Sequence, residues 1–125
     1  MSAERAPWRR VLVFWVPLAA WMGLIFWFSS RPDLPHAPGA FVDFVLKKSL
    51  HATAYGVLAW LWLRALADLG VRSAEAWAVG LAIAYAVSDE WHQTLVPGRT
   101  GRVLDVLIDA AGALAALAIA RALDR

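Results

Sequence analysis

Nine side chains able to hold charge or move a proton, and one amide beside them, fall in three short stretches of the chain. Lys48, His51 and Tyr55 stand in "KSLHATAY", Asp89, Glu90, His92, Gln93 and Arg99 in "SDEWHQTLVPGR", and Asp105 and Asp109 in "DVLIDAAG". Such a mixture suits acid–base or anion-binding chemistry. His51 can carry a proton near neutral pH, with Asp89 and Glu90 as further acid–base candidates. Lys48 and Arg99 can hold an anionic group, and the arginine fork matches a carboxylate or phosphate bidentately. Tyr55, His92, Gln93, Asp105 and Asp109 complete the candidate binding set. Ser29 and Ser30 could supply a nucleophile with His51 as base, but their plainer role is to cap a helix end and turn the chain. No metal is expected, because "DEWH" lacks the His-x-x-x-His spacing of zinc proteases and the chain has no cysteine. No cofactor is expected either.

The plain alternative for the acids is charge pairing. Asp89, Glu90, Asp105 and Asp109 can balance Lys47, Lys48, Arg99 and Arg102 with no ligand at all. Asp105 and Asp109 repel at i,i+4 unless a cation intervenes, and Arg99 is the natural candidate.

These groups interrupt an unusually apolar chain. Of its 125 residues 61% are hydrophobic and 18% charged, against about 25% charged in a soluble domain. So little polar surface cannot cover a soluble core, and the eight tryptophans suit the interfacial belts of a bilayer protein. The arginines sit at segment ends and not along one face, which argues against nucleic acid and for anionic lipid headgroups.

"VLVFWVPLAAWMGLIFWF", Val11 to Phe28, is 18 residues without a charge and reads as a membrane helix kinked or broken near Pro17. A cleaved signal peptide is the rival reading, but "FSSRPD" is a poor cleavage site. The following segments are each apolar for less than a bilayer's width: 15 residues between Lys48 and Arg64, 13 between Glu75 and Asp89, 11 between Asp109 and Arg121. A span needs about 20, so polar residues must complete each one. The expected fold is all-α: a polytopic membrane protein, an antiparallel four-transmembrane-helix bundle forming one domain over residues 1–125, with helices near 9–28, 43–66, 75–95 and 102–123. Gly70 and Ser73 serve as helix stop and N-cap between the second and third. Pro97 and Gly98 turn the chain before the fourth.

Antiparallel order then gathers every polar cluster at one end of the bundle. At about 100° per residue, Lys48, His51 and Tyr55 share a face, as do Tyr85, Ser88, Asp89 and His92, and Asp105, Asp109 and Gly112. Glu90 lies off its face, toward a neighbouring helix or the headgroups. Gly80, Gly112 and the alanines of the last helix allow close approach within the chain or between copies, so oligomeric state stays open. Arg5, Arg9, Arg10, Arg64, Arg72, Arg121 and Arg125 lie on the termini side, against Arg31, Lys47, Lys48, Arg99 and Arg102 on the cluster side. The positive-inside rule places both termini in the cytoplasm and the cluster outside.

"FSSRP", "KSLHATAY", "SDEWHQTLVPGR" and "DVLIDAAG", in this order, resemble the VanZ-like family of small integral membrane proteins. Lys48, His51, Tyr55, Asp89, Glu90, Gln93, Pro97, Gly98, Arg99, Asp105 and Gly112 match that pattern, with Asp109 where Asn or Asp is expected. The resemblance implies a bacterial envelope role linked to teicoplanin and other glycopeptides. The expected partners are membrane lipid and a lipid-linked cell-wall precursor or a glycopeptide antibiotic. The first functional reading is a binding module; the second is an intramembrane enzyme hydrolysing or transferring a group on an anionic envelope lipid.

Overall fold

The computed structural model describes residues 6–31, 37–96 and 103–124. Four helices and no strands occur among the described residues. The first, α1, runs Pro7–Ser29, followed by α2, Ala40–Asp68, α3, Ala74–Gln93, and α4, Val103–Leu123. The expected positions hold to within about three residues, and Arg99, Arg102 and the Pro97–Gly98 turn lie outside the described residues.

Polar contacts at both ends show the helices alternating in direction. Arg10 near the start of α1 meets Asp68 at the end of α2, 2.7 Å apart, and Glu75 at the start of α3 meets Arg121 at the end of α4, also at 2.7 Å. At the other end α1 finishes beside the end of α3, and the N-terminal half of α2 meets the start of α4. Helix α2 packs on all three others, most extensively on α4.

Pro17 does not break α1, which continues through it. Its missing N–H leaves the Val13 carbonyl without a helical donor, and the chain absorbs this as a π-helical stretch over Val11–Trp15, a common accommodation inside a longer helix. The Arg64 guanidinium of α2 donates to that same Val13 oxygen at 3.2 Å. α1 also contributes buried Leu18, Ile25 and Ser29 to the interior.

Between α2 and α3 the chain turns through a Schellman motif. Gly70 takes φ 74°, its N–H reaching the Ala67 carbonyl at 3.0 Å while Val71 N–H reaches that of Leu66 at 3.1 Å, which satisfies carbonyls the helix end would orphan. Ser73 does precede α3, but with left-handed backbone and no side-chain capping bond. Its expected hydroxyl cap is therefore absent.

Nearly half of the buried apolar residues are alanine. Ala59, Ala65, Ala78, Ala82, Ala86 and Ala113 are fully buried, while Trp8, Leu12, Phe26, Trp27, Phe28, Trp77, Leu107, Leu114 and Ile119 are turned outward. Alanine seams with large apolar groups facing out are the packing of helices in lipid. Two helices, α1 and α4, are long and apolar enough to cross a membrane, and only 11% and 22% of their apolar windows are buried. A soluble core helix would bury most of that surface, so the chain has the character of a membrane protein.

Close approach is localised at one crossing. A Cβ on Gly112 of α4 would collide with the backbone carbonyl group of Ala52 on α2, its carbon 2.7 Å away, and one on Gly56 would lie 3.0 Å from the Gly112 oxygen. Gly80 has nothing within 4 Å, so the closeness expected of it does not occur.

Candidate functional site

The α2–α4 crossing brings two contacts between a basic group and a carboxylate into register. Lys48 Nζ meets Asp105 Oδ1, and one helical turn further His51 Nδ1 meets Asp109 Oδ1. Helical spacing of three to four residues on both helices, which run parallel in the alternating bundle, makes the two contacts successive rungs. Lys48 thus stands beside Asp105 and His51 beside Asp109, while Arg99, the candidate from the sequence, lies outside the described residues.

Helix α3 supplies the third wall. Tyr55, fully buried on α2, donates its hydroxyl to Asp89 Oδ2 at 3.2 Å. Gln93, one turn on, places its amide 3.5 Å from the same oxygen and 3.4 Å from Ser29 Oγ of α1. His51 Nε2 lies 3.9 Å from Asp89 Oδ2, beyond hydrogen-bond length. Glu90 is buried too, at 7% exposure, and lies in the same space as His51 and Asp109. It therefore turns toward the neighbouring helices, one of the two directions its sequence position left open.

The buried stripe of α3 is Ala78, Ala82, Ala86, Asp89, Glu90 and Gln93, shifted from the face expected to join Tyr85, Ser88, Asp89 and His92. Alanines at four-residue intervals set the close interface, and extending their register reaches Glu90 directly; that was the overlooked signal. Ser88 is exposed and donates to the Tyr85 carbonyl, while Tyr85 donates to the Met22 carbonyl at 2.6 Å. His92 leaves the acids altogether: it stacks on Phe26 with centroids 4.4 Å apart and its Nε2 lies 3.0 Å from Ser30 Oγ. The single Ser30 hydroxyl proton goes to the Phe26 carbonyl, so the imidazole N–H donates to the serine oxygen.

The serines accordingly make poor nucleophile partners for His51. Ser30 caps the end of α1 and holds His92, and Ser29 is buried beside Gln93. Full charge balance also changes, because Lys47 pairs with Asp43 on its own helix at 3.1 Å, one turn before the site. What remains is a histidine oriented by a buried carboxylate, the arrangement that fixes an imidazole for proton transfer or ligation. Trp60 and Trp62 stay apart from it, Trp62 edge-on to Trp15 at 6.1 Å and Trp60 exposed near Arg64.

The contacts so assembled draw on each stretch singled out in the sequence, in chain order. A family model described as VanZ/LLP1 matches residues 14–124. The chain belongs to the VanZ/LLP1 family. That match covers every residue of the VanZ/LLP1 site just described, from Ser29 to Asp109. No curated protein and no solved structure matches the chain, so the chemistry of this VanZ/LLP1 protein is read from its own geometry.

Proposed function

We propose that this VanZ/LLP1 protein crosses the membrane four times, with both termini in the cytoplasm, and binds the anionic headgroup of a lipid-linked envelope component at its outward polar end. The layering of charge carries this reading. Lys48 and His51 side chains are each 27% exposed, whereas the carboxylates beneath them are 10% exposed at Asp105 and 0% at Asp109. An incoming headgroup meets cations first, and the buried acids hold those cations in place.

Helix length supports four spans. α2 and α3 have 29 and 20 residues, about 43 Å and 30 Å of rise, enough for a hydrocarbon core of about 30 Å. Their site residues contribute to their lower apolarity, and intramembrane ionisable groups belong to function by default. An apolar groove of about 470 Å³ between α2 and α4, lined by Ala52, Gly56, Trp60, Gly112, Ala116 and Ile119, begins one residue beyond His51. It suits an acyl or isoprenoid chain hanging from a headgroup at Lys48.

The family's association with glycopeptide resistance gives the test. Wild type, Asp89→Asn and Lys48→Ala, expressed at matched membrane levels in a sensitive Gram-positive host, are compared for teicoplanin susceptibility with vancomycin as control. Protection by wild type that both substitutions abolish supports the binding reading. Unchanged susceptibility with wild type, together with no retention of the purified protein on anionic lipid vesicles, overturns it.

One observation favours a second, enzymatic reading. His51, steered by Asp109 and facing Asp89, is placed as a general base or acid, with Lys48 steadying the anionic group. Mass spectrometry of membrane lipids decides between them: a lipid species that changes with wild type and not with His51→Ala supports hydrolysis or group transfer.

A further inference from the structure

The innermost part of the cluster contains more negative charge than its described donors satisfy. Asp89 and Asp109 are 3% and 1% exposed. Among the described residues, no hydrogen-bond donor reaches Asp89 Oδ1 or Asp109 Oδ2, both buried. An unsatisfied carboxylate oxygen in such a setting is costly and calls for a proton, an ion or a water.

Three helices aim metal-binding atoms at this point. One donor atom each from His51 of α2, Glu90 of α3 and Asp109 of α4 lies within 4.8 Å of the other two. Donors sharing one ion at about 2.1 Å sit no more than about 4.2 Å apart, so the trio must close by about half an ångström. Asp89, whose Oδ2 is 3.9 Å from His51 Nε2, brings a further carboxylate to the same space. We propose that His51, Glu90 and Asp109 form a binding site for a divalent transition-metal ion.

The donor set narrows the class of ion. Ca²⁺ and Mg²⁺ prefer oxygen ligands alone, whereas an imidazole with two carboxylates suits Zn²⁺ or Mn²⁺. The sequence conceals the site because its donors are distributed over three helices, the 38 positions between His51 and Glu90 being replaced in space by one helix contact. His92, the histidine nearest Asp89 and Glu90 in sequence, is the wrong one, since it faces Ser30 and Phe26. With three protein ligands an ion keeps positions open, toward the mouth where Lys48 is exposed. Metal uptake does not rest on the lipid reading, because it needs no lipid.

The test uses the tag-free full chain in detergent, stripped with a chelator and titrated with Zn²⁺, Mn²⁺, Mg²⁺ and Ca²⁺ separately. Calorimetry and elemental analysis after gel filtration read the stoichiometry. One equivalent of Zn²⁺ or Mn²⁺ per chain is expected, with affinity at least about tenfold weaker in His51→Ala and Asp109→Asn and unchanged in Glu75→Gln, at the opposite end. The melting temperature of wild type should rise with the bound metal and fall back with chelator, a readout that needs no variant. The proposal is overturned by uptake well below one equivalent, by equal binding in His51→Ala, or by a melting temperature indifferent to both ions. Any of these would leave His51 and Asp109 as an ion pair alone.

Discussion

The Ala52 carbonyl of α2 faces Gly112 of α4 so closely that no Cβ fits between them. Ala52 follows His51 and Gly112 lies three residues beyond Asp109, so this backbone contact sets the spacing at which the imidazole meets its carboxylate. Gly112→Ala should therefore push the helices apart, destabilising the fold by about 1–3 kcal/mol and weakening both the His51–Asp109 and Lys48–Asp105 pairs. Gly80→Ala, in open space, should be neutral or stabilising by up to about 1 kcal/mol. Unfolding of both variants in mixed micelles checks this; equal stability would mean that the crossing has room to spare.

Arg64 and Pro17 are linked through one oxygen. The guanidinium bond to the Val13 carbonyl matters because Pro17 cannot donate to it. In wild type, Arg64→Met should cost about 1 kcal/mol. In a Pro17→Ala background the helix regains its own donor, and the same substitution should cost little. A double-mutant cycle reads the difference directly, and additive costs would show that the two residues act independently.

Much of this arrangement was legible in the sequence. Charge at the ends of helices too short to span in apolar residues alone, combined with antiparallel order, was enough to place Lys48, His51, Tyr55, Asp89, Gln93, Asp105 and Asp109 at one end of the structure. Which partner each would take was not. Pairing depends on helix rotation, and rotation is set by the alanine seam of α3 and the glycine crossing of α2 and α4, not by the polar residues. That is why Glu90 turned inward and His92 outward. The π-helical response to Pro17 was hidden for a similar reason, since a proline specifies a lost hydrogen bond but not how the helix absorbs it.

His51 and Asp109 should be energetically coupled. Asp109 is fully enclosed while the His51 side chain retains 27% exposure, so loss of the histidine leaves the buried carboxylate without its contact. His51→Ala should destabilise the protein more than Ser49→Ala, an exposed position two residues earlier on the same helix, and Asp109→Asn should remove most of that difference. Thermal unfolding of the four proteins measures the coupling, for which about 1–3 kcal/mol is expected. A value near zero would mean that Asp109 draws its stabilisation from elsewhere in the cluster.

Orientation is decided by a residue between α3 and α4. Thr100 lies in the connection on the cluster side, and Ser73 in the α2–α3 turn on the termini side. The chain contains no cysteine, so Thr100→Cys and Ser73→Cys each carry a single thiol. With seven of the twelve Lys and Arg on the termini side, the positive-inside rule expects Thr100→Cys to react with an impermeant maleimide on intact cells and Ser73→Cys only after lysis. The reverse pattern would put Lys48 and His51 toward the cytoplasm, where an extracellular antibiotic cannot reach them. Labelling of both on intact cells would mean an even number of crossings between these two positions and would exclude the four-span arrangement, in which α3 alone separates Ser73 from Thr100.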